Sequence, residues 1–194
     1  PKSIGTISLV SKYFNDLMIN VHAVLPSIKN NKIIRQDDFV KQIYFAINKY
    51  RYIKGIANIV TYGMKFTPLY ISVGEKNYQM VNYFLEKGSD PCFKTIGIGT
   101  TLIKKLVEVK APIEICENVL RKIDKISNKE NHLDSATFGL SYTALHEAAR
   151  RGYLEHVLLL LRFGADKSLM NKLGKTPLDI AIDEGHTEII RVLQ

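Results

Sequence analysis

The chain has 194 residues, of which 46% are hydrophobic and 24% charged. That is enough for one domain, or one short repeat array, with a buried core, and it argues against intrinsic disorder. No run approaches the roughly 18 apolar residues of a membrane span, the densest stretch being Val157 to Leu161. The first residues lack the basic, apolar and cleavage regions of a signal peptide. Two cysteines, Cys92 and Cys116, are too few for a disulfide framework, which favours a reducing, cytoplasmic setting. The net charge of +8 lies wholly in residues 1–134, with 20 Lys+Arg against 12 Asp+Glu; residues 135–194 balance at 7 and 7. A basic surface suits an acidic partner, anionic lipid or nucleic acid. The lysines are scattered, however, and outnumber arginines 20 to 7, so membrane and nucleic acid are not favoured.

In chain order, Ile7, Val10, Phe14, Leu17, Val21 and Val24 recur at steps of three and four. This predicts one helix ending near Pro26, with residues 1–36 as an N-terminal helical cap. A helix belonging to an upstream domain is the rival. From residue 37 the chain is expected to be an array of repeats. Phe45-Ala46-Ile47 and Ile56 to Gly63 mark an eroded, short copy over 37–66. Thr67-Pro68-Leu69-Tyr70, closing at Gly88-Ser89-Asp90, opens a clearer one over 67–99.

Thr100-Thr101-Leu102 follows 33 residues after Thr67 and begins a degenerate copy over 100–137, with Pro112 where a second helix should start. Thr100 to Thr143 is 43 residues, ten too many, and the excess reads as a polar surface loop inserted at 125–135. Two in-register copies complete the chain, 138–170 and a partial one over 171–194. Thr143-Ala144-Leu145-His146-Glu147-Ala148-Ala149-Arg150-Arg151-Gly152 aligns with Thr176-Pro177-Leu178-Asp179-Ile180-Ala181-Ile182-Asp183-Glu184-Gly185 at an offset of 33. Ile189 to Gln194 stops inside a helix without a closing glycine, so the native chain is expected to continue beyond Gln194.

Each copy has a physical reading. Thr before Pro starts a helix, the hydroxyl capping free N–H groups. Gly152 and Gly185 let the chain reverse, and Val157, Leu158, Leu159 and Leu161 form the apolar stripe of the second helix. One helix pair cannot bury its own apolar face, so neighbours must stack.

Thr143-Ala144-Leu145-His146 and Thr176-Pro177-Leu178-Asp179, 33 residues apart, with their following glycines and Gly164-Ala165-Asp166, resemble the ankyrin repeat, whose pattern runs Thr-Pro-Leu-His, Gly, Gly-Ala-Asp. The resemblance implies an all-α solenoid of stacked antiparallel helix pairs with short hairpin loops. It also implies a protein–protein interaction module that grips a partner protein, an acidic one by the charge argument, on its concave face. The family's variable contact positions lie just before the Thr and seven and eight residues after it. They map to Met64, Phe66 and Glu75; to Gly139, Leu140, Tyr142, Arg150 and Arg151; and to Lys172, Leu173, Lys175, Asp183 and Glu184.

Chemistry of other kinds is not expected. The resemblance implies that His146 bonds backbone between repeats and that His186, in the Gly-His pair between helices, is structural, and His22, His132 and His156 lack a supporting acid or thiol. A Cys92 or Cys116 nucleophile with His132 and Asp134 has no enzyme signature around it. Zinc spacing is absent, and Ile96 to Thr101 lacks the lysine of a phosphate loop. No cofactor, metal or catalytic residue is therefore assigned, and a monomer is expected. The alternative is a targeting segment of a longer enzyme. The abundance of Ile, Lys and Asn (23, 20 and 12) is typical of AT-rich genomes. Eroded arrays of this kind resemble those of intracellular bacterial pathogens and large DNA viruses. The expected context is thus a host-directed effector, a virulence factor delivered into a host cell.

Overall fold

The computed structural model describes residues 66–92, 100–125, 133–136 and 140–194. The chain divides into two compact units, Pro1–Ile56 and Ala57–Gln194, and every described residue belongs to the second. The expected N-terminal cap, the eroded copy over 37–66 and most of the loop at 125–135 lie outside the described residues.

Those residues form eight helices and no strand. They fall into pairs: α1 (Pro68–Gly74) with α2 (Tyr78–Glu86), α3 (Leu102–Glu108) with α4 (Ile113–Asp124), α5 (Ala144–Arg150) with α6 (Leu154–Arg162), and α7 (Pro177–Asp183) with α8 (Thr187–Leu193). First helices stack in one row, α1 on α3 on α5 on α7; second helices stack in another, α2 on α4 on α6 on α8. The described residues form the expected all-α solenoid of stacked antiparallel helix pairs.

Local chemistry sets each start. Thr67, Thr101, Thr143 and Thr176 each accept a hydrogen bond from the N–H three residues on. Such a cap contributes about 1 kcal/mol. At Thr143 and Thr176 the third residue, His146 or Asp179, also accepts the threonine's own N–H, closing a reciprocal box. The second pair is capped by Thr101 rather than Thr100, so its distance to Thr143 is 42 residues. Thr101 also places every reversal at one position. Nine residues after the capping threonine stand Lys76, Lys110, Gly152 and Gly185, all with positive φ between 51° and 73°. Beyond Lys110 the turn is one residue longer, and Pro112 precedes α4.

The core sits between the rows. Leu69, Val73, Leu106, Val107, Leu145, Ala148 and Ala181 are buried from the first helices; Val81, Phe84, Val119, Val157, Leu160 and Ile189 from the second. Each large side chain so buried contributes about 1.5–3 kcal/mol. The apolar stripe of α6 is Val157, Leu159 and Leu160 with His156, whereas Leu158 is 47% exposed. Leu158 was expected in the stripe. A helix rotates 100° per residue, so a run of five apolar residues cannot all face one side, and Leu158 is the one turned outward.

Candidate partner-binding face

The expected contact positions are the ends of the first helices and the hairpins that precede them. Met64 and Gly139 lie outside the described residues. Phe66 is half-buried and stacks flat on Tyr70, ring centroids 5.0 Å apart. Burial pushes the Tyr70 phenol up to about 12, with the Glu108 charge adding to the rise and a Thr100 hydrogen bond opposing it. Glu75, Lys172 and Glu184 are exposed.

Tyr142 is half-buried with its ring 5.7 Å from that of His146. The His146 ring itself is wholly buried. Its Nδ1 accepts the Thr143 N–H at 3.3 Å, so the proton is on Nε2, which donates to the Lys175 carbonyl at 3.1 Å. Burial holds this imidazole below its ordinary pKa, against the opposing bond to Lys175. His146 therefore joins two repeats through the main chain, as the resemblance implies. His186 does likewise, its Nε2 donating to the Arg150 carbonyl at 3.1 Å, and His156 donates to the Ala111 carbonyl at 3.0 Å. The cross-repeat role of His156 is not announced by its sequence neighbours.

The arginines of the face have a partner inside the fold. Glu147, with its side chain 5% exposed, takes Arg150 Nη2 at 2.8 Å and also Arg151 Nε. Burial alone would raise this carboxyl, but hydrogen bonds and charge from the two arginines outweigh it and hold it low. Sequence reasoning passed over Glu147, though a carboxylate three and four residues before two arginines on a helix is the signal for such a cluster. Lys175 is likewise paired with Asp183, both near half exposed.

Exposed large apolar side chains on the hairpins complete the surface: Leu140 at 47%, Met170 at 66% and Leu173 at 61%, with Ile182 at 53% on α7. Met170 is not among the positions the repeat pattern selects. Burial raises both thiols, Cys92 to about 11 and Cys116 to about 12, which leaves them protonated and poorly nucleophilic at neutral pH. Among the described residues no three His, Cys, Asp or Glu side chains group to hold a metal, and no helix is long and apolar enough to cross a membrane.

Comparison with known proteins agrees with this geometry. A probable E3 ubiquitin-protein ligase of Oryza sativa subsp. japonica is 30% identical over 60% of this chain and 23% of its own length. The human NAD-capped RNA hydrolase NUDT12 is 33% identical over 47% of the chain and 20% of its own. Human protein phosphatase 1 regulatory subunit 27 is 48% identical over 26% of the chain and 32% of its own. The chain thus spans about a third or less of these relatives. The family model for an ankyrin repeat matches residues 64–96, and that for ankyrin repeats in three copies matches 102–194. With four stacked helix pairs over the same residues, the chain belongs to the ankyrin-repeat family.

Proposed function

We propose that this chain is a protein–protein interaction module that binds a partner protein on the concave face made by its first helices and hairpins. The observation that carries the reading is the ankyrin register itself. Phe66, Tyr142 and Lys175 each stand immediately before a capping threonine of that register, Thr67, Thr143 and Thr176. The phosphatase regulatory subunit among its relatives fits such a role. Phe66, Glu75, Tyr142, Arg150, Arg151, Lys172, Lys175, Asp183 and Glu184 are the proposed contacts, with Met64 from the sequence alone. A cytoplasmic, monomeric, host-directed effector is the biological setting we infer from the composition.

The test is to isolate a directly bound protein with the chain as bait and measure its affinity for Tyr142→Ala. Aromatic anchors at interfaces carry 2 kcal/mol or more, so affinity should fall at least roughly tenfold with the melting temperature unchanged. Equal affinity would place the interface elsewhere.

A second reading has its own observation. Relatives named as a ligase and as an RNA hydrolase are matched over less than a quarter of their length. In that reading the chain is the targeting segment of a longer enzyme. Recovering the full reading frame around residues 1–194 distinguishes the two.

A further inference from the structure

We propose that Leu140, Met170 and Leu173 form an aliphatic docking strip. Its occupant is an aliphatic stretch of a partner protein that also carries a carboxylate for Lys172. The inference rests on the interaction-module reading and specifies the chemistry of the partner.

Single exposed apolar side chains are ordinary on a protein surface. Here three stand on two adjacent hairpins, and Leu140 and Leu173 hold the same position, three residues before Thr143 and Thr176. The hairpins are joined by the backbone, since the Lys172 N–H donates to the Leu140 carbonyl at 3.1 Å. The second is also braced internally. Asn171, itself buried, accepts the Leu173 N–H at 2.8 Å and the Lys175 N–H at 3.1 Å through Oδ1. A strip fixed in this way loses little freedom when covered, which favours binding.

Charge then selects the occupant. The neighbouring cations are only partly offset within the fold: Glu147 supplies one negative charge to both Arg150 and Arg151, and Asp183 pairs with Lys175. One positive charge is left over in the Glu147 cluster, although residues 135–194 as a whole sum to zero. Lys172, exposed and within the strip, makes no ion pair among the described residues. Its complement is one carboxylate beside aliphatic side chains.

The experiment selects peptides from a random phage-displayed library against the 194-residue chain. Recovered peptides are then titrated against wild type, Leu140→Ser/Leu173→Ser and Lys172→Glu. All three positions are exposed, and a circular dichroism melt checks each variant. The proposal expects peptides with paired aliphatic residues and an acidic flank. Their affinity should fall tenfold or more for the double variant, and Lys172→Glu should favour a Lys flank over an acidic one. Peptides that bind both forms equally, and lose affinity in Tyr142→Ala, would overturn the strip while leaving the interaction module standing. A chain that recovers no peptide and captures no protein would overturn both. Two controls address other occupants. Concentration-dependent dimerisation abolished by Leu140→Ser/Leu173→Ser, or retention of the chain on phosphatidylcholine vesicles through those leucines, would replace the proposed partner and overturn the assignment.

Discussion

Gly152 lies against the ring of His186: a Cβ placed on Gly152 would stand 2.8 Å from His186 Cε1. The same glycine has φ +71°, and the same histidine donates to the carbonyl of Arg150. The reversal of one repeat is therefore the seat for a side chain of the next. Gly152→Ala meets both a left-handed backbone, at about 1–2 kcal/mol, and a steric conflict. Gly185 has the same backbone with nothing within 4 Å of its Cβ position. Urea denaturation should find Gly152→Ala about 1 kcal/mol or more worse than Gly185→Ala.

The lysines at the equivalent reversals give the converse prediction. Lys76 and Lys110 hold φ of 56° and 51°, a conformation that costs a side chain about 1 kcal/mol. Lys76→Gly should therefore stabilise the chain by up to about 1 kcal/mol. Lys110→Gly should gain less, because Lys110 Nζ lies 5.0 Å from the centre of the Tyr153 ring, a contact worth about 0.5–1 kcal/mol. The two melting midpoints, compared directly, check this ordering.

The Glu147 cluster predicts an asymmetry between its members. Removing both arginines leaves a buried carboxylate without a cation, which for a buried pair costs about 3–5 kcal/mol. Arg150 and Arg151 keep 40% and 34% side-chain exposure, so water screens part of that cost. Arg150→Ala/Arg151→Ala is expected to lose about 2–3 kcal/mol. Combining it with Glu147→Gln should restore part of the loss, because no buried charge then remains. Denaturant titrations of the double and triple variants make the comparison.

Acid should weaken the array through His146 and His156. Burial holds both below the ordinary value near 6.5, against the opposing hydrogen bonds they donate to the Lys175 and Ala111 carbonyls. Above about pH 6.5 folded and unfolded states are both neutral at these sites, and their contribution is complete. As pH falls further the unfolded chain takes up protons first, and stability declines until the folded imidazoles titrate as well. Melting temperature should thus drop between neutral pH and mildly acidic pH, and His146→Gln should flatten that dependence. A profile unchanged by the substitution would locate the effect elsewhere.

Two adjacent leucines of α6 supply the packing prediction. Leu159 is 4% exposed and Leu158 47%. Leu159→Ala should cost about 2–5 kcal/mol through the cavity it leaves. Leu158→Ala should stay within about 0.5 kcal/mol, as surface changes do. Thermal melts of the two variants read the difference.

Most of the fold was legible in the sequence because it is written in spacing. A capping threonine, a reversal nine residues later and a glycine at twenty-one recur wherever the pattern is intact, and backbone geometry demands them. Legibility failed where two residues could serve equally. Thr100 and Thr101 are both able to cap, and only the position of Lys110 in the turn decides for Thr101. It failed also where a lysine stands in a left-handed reversal, since only the surrounding stack holds it there. The face was less legible than the fold. The pattern marks Arg150 and Arg151 by position, but the three- and four-residue steps back to Glu147 show where their charge goes. The polar composition of 125–135 likewise conceals Leu133, which is buried, and Asp134, which accepts the Asp166 N–H at 3.1 Å.

His146, His156 and His186 all reach across a repeat boundary to a main-chain carbonyl, those of Lys175, Ala111 and Arg150. Every residue type carries that oxygen. Position 175 therefore separates two duties along the chain: its backbone fastens the stack while its half-exposed side chain is open to change, whereas the Arg150 side chain is itself engaged by Glu147. An array fastened in this way can vary the chemistry it displays at such a position without rewriting its own joints.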